Sequence, residues 1–142
     1  MKPEYLVDSS VWIPYFRESG SAFGEFLDEL IEDNRVHING IVIAELIVGA
    51  RSPAEIDRLS SALAGLKLVP SGRASFEAAG RNGFALRKKG VSVPLADVII
   101  ATDCIDHGLV LLEADKHYGV IAAHLPLRRH SKSGQGQPSH SI

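Results

Sequence analysis

The chain has 142 residues, 45% of them apolar and 23% charged, which is the make-up of one globular domain rather than two. A chain of this length buries roughly 70% of its unfolded surface on folding, so it needs no disulfide or structural metal, and its lone Cys104 has no internal partner. A formal net charge of −2 argues against a generic nucleic-acid coat protein; the short apolar run after Met1 is too brief for a signal peptide and no run approaches membrane-spanning length, so no membrane association and a reducing, cytoplasmic setting are expected.

Tyr5-Leu6-Val7 is compact, apolar and β-prone, and predicts a strand over Glu4 to Asp8. Asp8-Ser9-Ser10 then supplies polar groups suited to starting a helix. Between Ala22 and Glu32, Phe23, Phe26, Leu27, Leu30 and Ile31 recur at helical spacing with acidic residues between them, the pattern of an amphipathic helix. Val36 to Asn39 reads as a second strand, and Gly40 leads into an almost wholly apolar helix from Ile41 to Gly49, interrupted by Glu45. Pro53 opens a helix in which Ile56, Leu59, Leu63 and Leu66 step by three and four, and Lys67-Leu68-Val69 follows as a third strand.

Residues 73–89 predict a basic helix closed by Gly90. A helix from about Leu95 to His107, a strand from Leu109 to Leu112 and a further strand opening at Val120-Ile121 complete the series. Strands alternating with helices predict a single α/β domain over residues 1–128, with a mainly parallel central sheet flanked by helices. Residues 129–142 are poor in apolar side chains beyond Arg129 and are expected to form a disordered tail. Charge is polarised: residues 1–71 carry six basic and eleven acidic side chains, and residues 72–142 carry nine and six. Arg73, Arg81, Arg87, Lys88 and Lys89, opposed only by Glu77, form either a solvated helix face or a patch that attracts phosphate.

In open α/β sheets, sites form where strands end and helices begin, which singles out Asp8, Glu45, Asp97 and Asp115. Glu45 interrupts an apolar surface, so its carboxylate needs a compensating cation, donor or water; the structural alternative is pairing with an Arg such as Arg51. Asp8 and Asp97 taken singly read as helix caps, Asp115 as a turn residue, and Asp103, Asp106 and Glu113 as solvated. Taken together, four carboxylates at one sheet edge repel one another and imply hard divalent cations, Mg²⁺ or Mn²⁺, with oxygen ligands. Such ions clamp a phosphodiester, activate water and stabilise the leaving oxygen. Cys104 falls in an apolar helix and reads as core, the histidines lack zinc-ligand spacing, and His117 reads as a surface residue near Asp115 with substrate contact as the alternative. There is no Walker loop or nucleophile elbow, and no acidic pair follows the first strand as a receiver-type domain requires.

The segments Val7-Asp8-Ser9-Ser10-Val11-Trp12-Ile13, Ile43-Ala44-Glu45-Leu46, Pro94-Leu95-Ala96-Asp97-Val98-Ile99-Ile100-Ala101 and Leu111-Leu112-Glu113-Ala114-Asp115-Lys116-His117-Tyr118 resemble, in order and spacing, the successive motifs of PIN-domain nucleases, and the short chain is most similar to VapC-type toxins. The resemblance spans residues 4 to about 123. It implies a Mg²⁺-dependent endoribonuclease, with Mn²⁺ as the alternative ion, whose catalytic metal ligands are Asp8, Glu45 and Asp97 with Asp115 as the fourth. It also implies RNA as substrate, a homodimer and a separate antitoxin protein covering an apolar groove and the acidic pocket. Glu113 departs from the pattern, standing where Thr or Ser is usual, and His117-Tyr118 replaces Asp-Phe. Glu113 adds negative charge near the site, and is the main support for a competing reading as a non-catalytic PIN-like interaction module. A metal-dependent DNA nuclease with the same pocket is the third reading.

Overall fold

A computed structural model describes residues 1–131 and 138–139. Five short strands run parallel in the order β3-β2-β1-β4-β5: β1 (Tyr5–Val7), β2 (Val36–Ile38), β3 (Lys67–Leu68), β4 (Val110–Glu113) and β5 (Arg129–Ser131). β6 (Pro138–Ser139) adds antiparallel to β5. Leu6, Leu111 and Leu112 are fully excluded from solvent, as expected of central parallel strands covered on both faces. Each such side chain contributes about 1.5–3 kcal/mol by burial.

The helices are α1 (Ser9–Arg17), α2 (Gly24–Glu32), α3 (Gly40–Val48), α4 (Pro53–Leu63), α5 (Arg73–Lys88), α6 (Leu95–His107) and α7 (His117–Ala122). Local chemistry sets several ends: Ser52 caps α4 through the Glu55 amide, Pro53 opens it, and Gly108 closes α6 at φ +65°, a left-handed conformation that glycine adopts without strain. No helix among the described residues is long and apolar enough to cross a membrane. Cys104 is buried in the core, which raises its thiol pKa well above the usual value.

The predicted elements and the parallel sheet are present, with two corrections. Val120 and Ile121 lie in α7, not in a strand. The Asp115 carboxylate accepts the His117 amide and so starts a helical turn, which decides the state of a short β-branched run that is ambiguous by pattern. Arg129–Ser131, expected to open the tail, instead pairs with Leu111–Glu113 as β5. The remainder of that expected tail, 132–137 and 140–142, lies outside the described residues.

The strand order reverses between β1 and β4, each of which is followed by a turn into a helix at its carboxyl end. A doubly wound sheet opens a crevice at that switch point. The Asp8 amide donates to the Leu112 carbonyl at 2.9 Å, which ties the end of β1 to the end of β4.

Candidate active site

Four segments bring carboxylates to this crevice. Asp8 follows β1 directly and caps α1: its Oδ2 accepts the Ser10 amide at 3.0 Å and the Ser10 hydroxyl at 2.6 Å. The capping role read from the sequence is therefore real for Asp8, and it leaves Oδ1 to face the crevice, where it accepts the Tyr118 hydroxyl at 2.8 Å. Asp97, in the first turn of α6, caps nothing; its Oδ1 lies 3.4 Å from the Tyr118 hydroxyl and its Oδ2 3.0 Å from His117 Nδ1. Glu45 projects from α3 and accepts the Ser9 hydroxyl at 3.2 Å. Arg51 is not its partner, since the Arg51 amide donates to Glu55 instead. Asp115, in the turn after β4, accepts the His117 amide at 2.9 Å through Oδ1, which is 3.3 Å from His117 Nδ1.

The electrostatics follow from this crowding. Burial, then the neighbouring Asp8 charge, raises the Glu45 pKa above the usual carboxylate value. Asp97 is raised first by burial and then by the charges of Asp115 and Asp8. No Lys or Arg among the described residues forms an ion pair with any of the four. The compensation comes from the hydroxyls of Ser9, Ser10 and Tyr118 and from His117. Carboxylates held together without a Lys or Arg are the donor set of a hard divalent cation, and the residues present fit one. Asp97, Asp115 and His117 offer ligand atoms all within 4.8 Å of one another.

Glu113 sits at 2% exposure at the end of β4, beside the crevice. Its Oε2 accepts Arg129 Nη1 at 3.1 Å and its Oε1 accepts the Asp115 amide at 3.1 Å. Burial pushes its pKa up to about 7 against the pull of Arg129 and of that amide. The expectation that Glu113 is solvated is thus corrected: it braces the turn that presents Asp115, with Arg129 of β5 compensating its charge.

Four further residues have roles that the sequence did not single out, Asn39 and Asp103 in packing and Tyr118 and His117 in the pocket. Asn39 follows β2 directly, caps α3 through the Val42 amide and donates to Asp103 Oδ2 at 2.8 Å. Asp103 is accordingly buried at 2% exposure rather than solvated, and burial raises its pKa. Tyr118 is fully buried with its hydroxyl joining Asp8 and Asp97; burial first, then the charges of those two carboxylates, holds its pKa far above the ordinary phenol value. His117, read as a surface residue, faces two of the four carboxylates. Its position two residues after Asp115, at a helix start, was the available signal.

Two other surfaces bear on function. Arg73 and Arg81 both pair with Glu77, so the basic stretch on α5 is partly neutralised. Its last turn, Arg87 and Lys88, continues through Lys89 toward α6, and none of these three forms an ion pair among the described residues. On α1, α3 and α4, Ile13, Phe16, Leu46, Leu59 and Ala62 form the apolar part of a groove of about 390 Å³ that Arg17, Glu55 and Arg58 also line.

A family model described as PIN domain matches residues 5–123. The chain is 28% identical over 123 residues to Ribonuclease VapC11 of Mycobacterium tuberculosis, covering 82% of this chain and 90% of that protein. It is similar in fold to a chain of VapBC2 from Rickettsia felis, bound to a DNA fragment from its promoter, with a TM-score of 0.74, 18% identity, and coverage of 89% of this chain and 97% of that one. Against a chain of DNA-bound VapBC from Salmonella typhimurium the TM-score is 0.73 at 20% identity, with 92% and 98% covered. With the family match running from β1 through the end of α7, the chain belongs to the PIN domain family.

Proposed function

We propose that the chain is a metal-dependent endoribonuclease of the VapC type, acting as the toxin of a toxin–antitoxin pair. One observation carries the reading: Asp8, Glu45, Asp97 and Asp115 converge at the switch point of the sheet, held by the hydroxyls of Ser9, Ser10 and Tyr118 and by His117, with no Lys or Arg ion pair among the described residues. These four residues would hold Mg²⁺ or Mn²⁺, which when bound activates water and stabilises charge on a phosphodiester. Ser10 and Tyr118 fix the two oxygens of Asp8, and Ser9 fixes Glu45, so the pocket is arranged before a cation or substrate arrives. Glu113, the departure that favoured a non-catalytic module, is paired with Arg129 and adds no uncompensated charge.

Arg87, Lys88 and Lys89 bind the RNA backbone, close in sequence to Asp97 and at the opening of the same helix pair. Each phosphate contact on a single strand contributes about 0.7 to the slope of log affinity against log salt. Replacing all three by Gln is therefore expected to lower the magnitude of that slope by about 2 in filter-binding measurements with catalytically inactive protein. An unchanged slope contradicts their assignment.

The antitoxin is a separate chain that covers the groove lined by Ile13, Phe16, Leu46 and Leu59; α3 carries both Leu46 and Glu45, so a partner seated there borders the acidic pocket. Support comes from the similarity to chains of VapBC complexes, one described as a member of a toxin–antitoxin family from Mycobacterium tuberculosis. A homodimer fits the exposed Phe76, Phe84 and Leu95 on α5 and at the start of α6. The function is tested by offering the purified full chain matched single-stranded RNA and DNA with Mg²⁺ or Mn²⁺. Cleavage confined to RNA is expected; cleavage of DNA alone reassigns the pocket as a DNA nuclease.

A further inference from the structure

We infer that His117 Nδ1 is a direct ligand of the cation held in this pocket, making the centre a mixed imidazole–carboxylate site that takes Mn²⁺ in preference to Mg²⁺. The inference rests on the metal-dependent reading above and concerns a residue outside the four carboxylates.

The spacing is the first argument. His117 Nδ1 lies 3.0 Å from Asp97 Oδ2 and 3.3 Å from Asp115 Oδ1. An octahedral cation with bonds of about 2.0–2.1 Å places adjacent ligand atoms about 3 Å apart. The imidazole nitrogen therefore already stands at neighbouring-ligand separation from each of the two carboxylate oxygens, and the three residues offer ligand atoms all within 4.8 Å of one another. In the metal-free protein this nitrogen hydrogen-bonds Asp97 Oδ2; with a cation in the pocket it would instead offer its lone pair to the ion.

The ring is also held there. His117 begins α7, its amide is bound by Asp115 Oδ1, and the Asp115 amide is in turn bound by Glu113, which Arg129 secures from β5. The next residue, Tyr118, is fully buried and anchored to Asp8. The backbone on both sides of the imidazole is thus fixed by contacts to the pocket's own residues, while the side chain keeps 35% exposure at the crevice mouth. Ligand chemistry supplies the preference. Mg²⁺ dehydrates reluctantly and keeps oxygen ligands, whereas Mn²⁺, which also suits oxygen donors, is a transition-metal ion that accepts an imidazole nitrogen more readily. A single nitrogen among oxygen donors shifts the balance toward Mn²⁺ without excluding Mg²⁺.

The test is Mn²⁺ and Mg²⁺ binding to the partner-free full chain, by calorimetry and competition, with pulsed EPR of bound Mn²⁺ to detect a directly coordinated nitrogen. Wild type, His117→Gln and Asp97→Asn are compared, with circular dichroism confirming that each is folded. Wild type is expected to bind Mn²⁺ more tightly than Mg²⁺ and to show nitrogen coupling. His117→Gln loses that coupling and weakens Mn²⁺ by on the order of tenfold or more, since even partners that only orient a ligand are worth that much. Its Mg²⁺ affinity falls less, so the preference narrows. Wild-type Mn²⁺ without nitrogen coupling, or a His117→Gln variant with an unchanged preference, overturns the ligand assignment. If Asp97→Asn abolishes binding in that case, the metal-dependent reading survives; if wild type binds neither ion, both fall together.

Discussion

Asp97→Asn is expected to lower metal-dependent cleavage at least about 10²-fold, and in the metal-free protein to raise the unfolding temperature. The two effects have one cause. Asp97 is 7% exposed, and burial together with the charges of Asp115 and Asp8 raises its pKa, so its ionised form strains the metal-free fold. Asn keeps the shape and the acceptor for Tyr118 while removing the charge a cation would bind. Rate loss reflects a missing ligand, and the gain in stability reflects relief of repulsion. Steady-state cleavage and a thermal melt with chelator present measure both in one preparation. A melt that falls sharply would show that Asp97 supports the fold rather than the chemistry.

The second large effect concerns Glu113 and Arg129. Glu113 has a folded pKa of about 7 against an ordinary value of 4.5. Below pH 4.5 it is protonated in both states; between 4.5 and 7 the unfolded chain releases its proton while the folded one retains it. The folded state therefore binds more protons across that window, and its stability falls as pH rises, by about 3 kcal/mol in total. Glu113→Gln is expected to flatten this part of the stability profile, read by denaturant titration of the metal-free protein at pH 4.5 to 8. Arg129→Met has the opposite consequence, because it leaves the buried Glu113 carboxylate without its counter-charge. It costs on the order of 3 kcal/mol at pH 8, which lowers the melting temperature by roughly 10 °C for a domain of this size. A profile unchanged by either substitution would remove Glu113 and Arg129 from the account of the Asp115 turn.

The fold was readable because its elements announce themselves locally: Tyr5–Val7 and Val110–Leu112 are dense apolar runs, α2 is strictly periodic, and Ser52-Pro53 and Gly108 mark helix ends. β5 was not readable, since Arg129-His130-Ser131 has no strand pattern of its own and becomes a strand by pairing with β4. The four carboxylates were legible from position, each at a strand end, in a helix's first turn or interrupting an apolar helix. Their partners were not. Asn39 and Asp103 lie 64 residues apart and meet only when β2 and α6 pack. Glu113 looks solvated until Arg129 arrives from a segment read as tail. For His117 the position two residues after Asp115 is only a hint, because what distinguishes it is the convergence of Asp97 and Asp115 on one ring nitrogen.

The proposed function requires the carboxylate pocket to cleave RNA with a bound divalent cation. Its most direct test is incubation of total cellular RNA with the purified, partner-free protein, with Mg²⁺ or Mn²⁺ and with chelator, alongside Asp97→Asn purified identically. Discrete fragments formed by the wild type only when metal is present are the predicted result, and mapping their ends identifies the sequence cut. Intact RNA with both metals, from protein shown to be folded, would contradict the claim and favour a non-catalytic interaction module.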